Sequence, residues 1–207
     1  MSAVREVAMT AMPIDEPVGD HQDRTSPLSQ DWTYEQVKNL DLPFDWDLVD
    51  GVIVVRGQTN QWHDQVRDRL FMALFVARVT PYAANVERCV LLDEDNTTKP
   101  DVVVFDKTDL DVFELECLPP EVVALTVEVV SHGTRANDRF RKPGQYAEKN
   151  IPYYWRVERG VDNLPIVHEF HRDEEKGVYL PVAQHEGVLR TAVPYPVEID
   201  LAAVVEL

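Results

Sequence analysis

From Ala124 to Val130 the chain reads Ala-Leu-Thr-Val-Glu-Val-Val, an apolar, β-branched run that carries one charge, Glu128. It is short, stopped upstream by Pro119-Pro120 and broken downstream by Ser131-His132-Gly133-Thr134, which makes it a strand. A carboxylate inside such a strand either faces solvent or needs a partner or metal, because dehydrating an uncompensated charge is costly. A second run, Asp101-Val102-Val103-Val104-Phe105, has the same character and opens on another carboxylate. Pro100 starts it from a position a strand tolerates. Two carboxylates in two such strands, followed by the basic stretch Arg135 to Lys142, point to a cation site with positive charge beside it.

The rest of the chain supplies a scaffold. Residues 1 to 30 mix Pro, Ser, Thr, Asp and Glu without periodicity and are expected to form a mobile arm. A single domain is expected over residues 31–207, a length that can bury a real core. It opens with a short helix near Thr33 to Val37, with Thr33 as N-cap. A hairpin follows over Asp47 to Val55, turning at Asp50-Gly51. Trp62, Val66, Leu70, Leu74 and Val76-Ala77 recur at helical spacing, with His63 and Asp64 on other faces. Val86 to Leu92 reads as one strand and Asp93 to Thr98 as a polar loop. A helix is expected from about Arg135 to Glu148, kinked or split by Pro143. Strands follow at Tyr153 to Val157, Ile166 to His171, Val178 to Ala183 and Val188 to Thr191, and Pro196 to Leu207 closes as a strand leading into a short helix. The sum is a mixed α/β (α+β) domain, a central mixed sheet flanked by helices with additional C-terminal strands.

A divalent hard cation takes oxygen ligands, which two carboxylates on neighbouring strands supply. If those strands pair with Asp101 and Glu128 on one face, the backbone carbonyl of Val129 offers a further ligand. Such an ion polarises a phosphodiester and makes hydroxide available near neutral pH, while a nearby lysine stabilises charge on the phosphate. Each residue also has a plainer reading. Asp101 alone is as consistent with an edge residue making a turn, and Lys142 alone reads as a solvated helix lysine paired with Asp138. His63, near a helix start, reads as a surface or packing residue. Asp109 to Glu116 is a solvated acidic loop, and His168, His171 and His185 lack convincing metal-ligand spacing.

The formal charge of -17 argues against broad nonspecific binding to nucleic acid, although the local field around a cleft is what governs a nuclease. Cys89 and Cys117 are too few for a disulfide framework and are expected to be reduced thiols, with a single bridge left open. No stretch is long and apolar enough to span a bilayer, and no basic-then-apolar leader opens the chain, so the expected location is the cytoplasm.

The order Pro100-Asp101-Val102-Val103-Val104, Val127-Glu128-Val129-Val130-Ser131, Asp138 with Lys142 and Tyr146, then Ile151-Pro152-Tyr153-Tyr154-Trp155 resembles the Uma2 family of restriction endonucleases within the PD-(D/E)XK nuclease superfamily. Asp47-Leu48-Val49-Asp50-Gly51 is similar to that family's hairpin, where Glu is usual in place of Asp47. The resemblance spans roughly residues 33 to 205. It implies a restriction-endonuclease-like fold and metal-dependent hydrolysis of DNA, with Asp101 and Glu128 as the metal carboxylates and Mg2+ or Mn2+ as the ion. The in-line lysine position holds Val130, so the resemblance assigns the lysine to the following helix as Lys142. Asp47 and His63 become accessory residues, and Arg135, Arg139 and Arg141 would supply positive charge for the phosphates. A homodimer follows by analogy, since cutting two strands needs two sites. The alternative is a nuclease fold that binds without cutting, favoured by the acidity, Val130 and Pro143.

Overall fold

The structure, a computed structural model, describes residues 31–131 and 137–206, with backbone alone at 137 and 138. The expected arm over residues 1–30 and the arginine at 135 lie outside the described residues. The chain enters through α1 (Tyr34–Val37), where the Thr33 backbone N–H donates to Gln36 Oε1 at 2.9 Å. It then forms the hairpin β1 (Trp46–Val49) and β2 (Val52–Val55). Asp50 and Gly51 take φ of 48° and 71°, the left-handed pair that a two-residue turn requires. At Gly51 a Cβ would sit 3.0 Å from Asp31 Cα and Trp32 N, so the entering chain packs directly on this turn.

The long helix α2 (Gln61–Ala77) starts at Asn60, whose side chain accepts from the His63 backbone N–H at 3.2 Å. Its buried stripe is His63, Val66, Leu70 and Leu74. This corrects the expected stripe: His63 belongs to the inward face, and Val76 is 80% exposed. The region expected as one strand over Val86 to Leu92 is two strands, β3 (Tyr82–Val86) and β4 (Val90–Asp93). Glu87, at φ 46°, breaks between them. The expected loop after it contains β5 (Asn96–Thr98), a fully buried strand paired with β4. The polar sequence Asn-Thr-Thr concealed it, because its side chains serve as hydrogen-bond partners of the first hairpin. Thr97 Oγ1 accepts from Leu48 N at 2.8 Å and Asn96 Oδ1 from Asp50 N at 3.0 Å.

The remaining strands are β6 (Val102–Asp106), β7 (Val123–Val129), β8 (Tyr153–Arg159), β9 (Pro165–Asp173), β10 (Val178–His185), β11 (Val188–Thr191) and β12 (Val197–Asp200). Six form one mixed sheet in the order β10-β9-β8-β7-β6-β3, antiparallel except for the β7–β8 pair. Every residue of β7 is buried, as its near-continuous apolar run requires. On one face, Val66, Leu70 and Leu74 of α2 pack with Val102, Val104, Leu125 and Val127, and β11 and β12 add Leu189 and Ile199. On the other, Val103, Phe105 and Val123 pack with Tyr146, Ile151 and Tyr154. Alternation along the strands separates the two cores, and Glu128 falls on the second face. Trp155 and Tyr154 are core.

The expected helix before Glu148 is split. A π-helical turn, Asn137–Arg141, passes into α3 (Lys142–Glu148), and Pro143 occupies the first turn of α3, where its missing N–H is harmless. The two cysteines correct the sequence reading: Cys89 and Cys117 are joined in a disulfide, Cα atoms 4.6 Å apart. Neighbouring backbone hydrogen bonds explain the approach, since Leu118 N donates to Cys89 O at 2.8 Å and Leu91 N to Leu118 O at 2.9 Å. No helix is long and apolar enough to cross a membrane among the described residues.

Candidate functional site

β6 and β7 pair with Val102 opposite Val127. Extending that register one step sets Asp101 against Glu128 at the same end of the sheet. Their side chains are 6% and 1% exposed at the residue level, and both line one cleft of about 380 Å³. Like charges directly opposed across a strand pair repel, so the surroundings must compensate them, and each carboxylate has its own partners.

Asp101 Oδ2 accepts the Val129 backbone N–H at 2.6 Å and lies 3.3 Å from His63 Nε2. Burial drives this carboxyl upward in pKa, but the bond and charge of His63, the charge of Lys142 and the Val129 N–H outweigh burial and hold it below its ordinary value. The reciprocal effect acts on His63: burial pulls the imidazole down, while Asp101 and Asp64 pull it further up, leaving it above its ordinary value. His63 is in place because it begins the buried stripe of α2 and its other ring nitrogen meets Asp64 at 3.4 Å.

Glu128 is held from α3. Lys142 Nζ donates to Oε2 at 2.6 Å, and Tyr146 Oη donates to Oε1 at 2.5 Å. The two donors are four residues apart on one helix face, so a single element grips both oxygens. Tyr146 is fully buried and lies 3.2 Å from Thr98 Oγ1. Burial first, then the Glu128 charge and hydrogen bond, push its phenol well above the ordinary tyrosine range, so it remains a proton donor. Sequence reasoning gave Tyr146 no role, although its spacing from Lys142 carried the signal.

The hairpin supplies the opposite wall. Asp47 lines the cleft and contacts Arg56 Nη1 at 3.4 Å. Burial raises its pKa against the lowering charges of Arg56, Lys142 and Lys99. Arg56, which the sequence did not single out, is fixed by Asp45 at 3.1 Å, Glu87 at 3.5 Å and the Lys99 carbonyl at 3.0 Å. Among the arginines expected to meet nucleic acid, Arg141 lines the cleft, and no hydrogen bond or ion pair joins it to another described residue. Arg139 instead pairs with Glu158 beside a smaller adjoining pocket. The third, at 135, and the side chain of Asp138 lie outside what is described.

A hard cation would find oxygen donors here. The other oxygen of Asp101, Oδ1, has no hydrogen-bond partner among the described residues. The N–H and C=O of one strand residue leave by the same edge, so the Val129 carbonyl points to the side where its N–H meets Asp101, beyond the end of β6. Each Glu128 oxygen accepts one bond from α3. These residues fit an oxygen-liganded divalent ion, although no cluster of three or more His, Cys, Asp or Glu side chains forms among the described residues.

The family model Uma2, described as "Putative restriction endonuclease", matches residues 33–203. A solved structure from Anabaena variabilis, described as a putative nuclease belonging to DUF820, superposes with a TM-score of 0.58 at 13% identity. The match covers 78% of this chain and 89% of that one, and it shows a shared fold. No curated protein matches the sequence.

Proposed function

This chain belongs to the Uma2 family of restriction endonucleases, and on that premise we propose that it hydrolyses DNA phosphodiester bonds with a Mg2+ or Mn2+ ion at a PD-(D/E)XK-type site. The observation that carries the reading is the opposed pair Asp101 and Glu128 in one cleft, with Lys142 Nζ 2.6 Å from Glu128. Asp101, Glu128 and the Val129 carbonyl would hold the ion. When bound, the ion supplies Lewis-acid polarisation of the phosphate and makes hydroxide available near neutral pH. Lys142 orients Glu128 and places an ammonium where charge develops on the phosphate, which restores the lysine function lost in line at Val130. His63 keeps Asp101 ionised and aimed, Tyr146 fixes Glu128, and Arg141 meets a phosphate oxygen. Asp47 stands across the cleft as an accessory carboxylate.

A second reading, a nuclease fold that binds DNA without cutting, has one observation in its favour: Lys142 and Tyr146 already engage both Glu128 oxygens. Cleavage of plasmid and single-stranded DNA, with Mg2+ or Mn2+ against a chelator, decides between them. Metal-dependent cutting that falls by at least about 10³-fold in both Asp101→Ala and Glu128→Ala, with circular dichroism unchanged, is expected. Cutting that persists in both variants would sink the assignment.

A further inference from the structure

The cations around the cleft are already occupied, and this limits what can bind. Arg56 is shared among Asp45, Asp47 and Glu87. Arg67 pairs with Asp64, Asp68 and Glu87, and Lys99 pairs with Asp45. Lys142 is committed to Glu128. Arg141 stands apart as the cleft cation with no ion pair to another described residue. On the hairpin and α2 side Asp45, Asp64 and Glu87 neutralise Arg56, Arg67 and Lys99. A duplex laid across that side would find its cations already paired. Among the described residues the cleft offers a phosphate Arg141 and Lys142, against the roughly 6–10 phosphate contacts of a strongly salt-dependent duplex binder.

The cleft itself has a different character. Its volume of about 380 Å³ lies near the lower end of small-molecule sites, roughly 300–1,000 Å³, and the reacting carboxylates lie at its buried floor. Its hairpin side carries Val49, Val54 and Val55, of which Val54 and Val55 are 42% and 49% exposed. One side therefore offers an apolar surface, and the α3 side offers Arg141 and Lys142. An unpaired nucleotide presents that same pairing of chemistries, an apolar base face and an anionic phosphate.

We infer that this cleft takes single-stranded DNA, one nucleotide at a time, with the base on the Val49–Val54 wall, the hairpin face that also carries Asp47, and the phosphate between Arg141 and the carboxylates. The inference rests on the nuclease reading of the cleft, but strand selectivity can be measured without catalysis. The test is anisotropy of a labelled 20-nucleotide strand and of the blunt duplex of the same sequence, titrated with the full chain in Ca2+. Parallel Mg2+ reactions on the same oligonucleotides report hydrolysis. The strand is expected to bind at least about tenfold more tightly. Its log K should fall with log salt no more steeply than about -1.4, the slope for two phosphates on a single strand. Val54→Glu, at a position 42% exposed, should weaken strand binding about tenfold, and Arg141→Gln should flatten the salt slope.

Duplex bound as tightly as the strand, a slope of about -4 or steeper, or binding of neither would overturn the inference. Strand-selective binding without any cleavage would uphold it while removing the hydrolytic reading. Duplex cut as fast as strand would overturn it while leaving hydrolysis standing.

Discussion

Glu128 owes its place in an apolar strand to α3. Lys142 supplies the charge and Tyr146 a buried hydroxyl, one to each carboxylate oxygen. Groups that hold a metal-binding carboxylate set its orientation as firmly as the ligand itself, and their loss costs roughly 10–100-fold in metal affinity or activity. Tyr146→Phe keeps the ring among Val103, Phe105 and Tyr154 and removes only the donor. Mn2+ binding measured by calorimetry on the metal-free protein is therefore expected to weaken by about 10–100-fold, while the buried Glu128 oxygen left without its donor lowers stability without metal by about 1–3 kcal/mol. Equal affinity in the variant would show that Lys142 alone orients Glu128. The sequence displayed Asp101 and Glu128 because carboxylates in valine-rich strands are conspicuous, whereas Lys142 came from the family resemblance. His63 was less visible, since its burial depends on which face of α2 meets the sheet.

At the scale of elements, legibility followed periodicity. β6, β7, the first hairpin and α2 announce themselves by alternation or helical spacing, and Pro143 correctly marked a divided helix. β5 did not, because its Asn-Thr-Thr side chains satisfy the hairpin backbone, a tertiary need that local pattern does not encode. The disulfide was hidden for the same reason, since only the β4 bridge to Leu118 brings its ends together. A third case lies away from the cleft. Glu169 of β9 is 4% exposed and is met by His171 at 3.0 Å, His185 of β10 at 2.9 Å and Thr191 of β11 at 2.8 Å. Dismissed as metal ligands by spacing, His171 and His185 instead hold Glu169 on β9 and β10, and Thr191 ties β11 to the same carboxylate. Burial raises the Glu169 carboxyl, but the bonds from His171, His185 and Thr191 lower it more, leaving its pKa below 4.5. A depressed carboxyl stabilises the fold above its unfolded pKa, and that contribution disappears as pH falls through the folded value. Glu169→Gln should therefore cost about 1–3 kcal/mol at pH 7. The gap from the parent should close as pH drops below 4.5, read from urea melts across pH. A gap that widens toward acid would show that the carboxylate is not the stabilising form.

At the scale of the whole molecule, a charge of -17 surrounds a site proposed to take a polyanion. The two act over different distances. Arg141 and Lys142 attract a phosphate only once it has entered the cleft, whereas the summed acidity repels DNA from outside. Salt separates them, because the screening length shortens from about 30 Å at 0.01 M to about 10 Å at 0.1 M. Distant carboxylates drop out of the field over that range, while contacts inside the cleft remain largely unscreened. The rate of association with a DNA strand, measured by stopped-flow anisotropy, is therefore expected to rise as salt increases from about 10 to 100 mM. A nuclease with a basic face behaves in the opposite way, since steering by attraction weakens with salt. An association rate that falls monotonically over this range would place a positive field around the cleft mouth and overturn repulsion by the summed acidity.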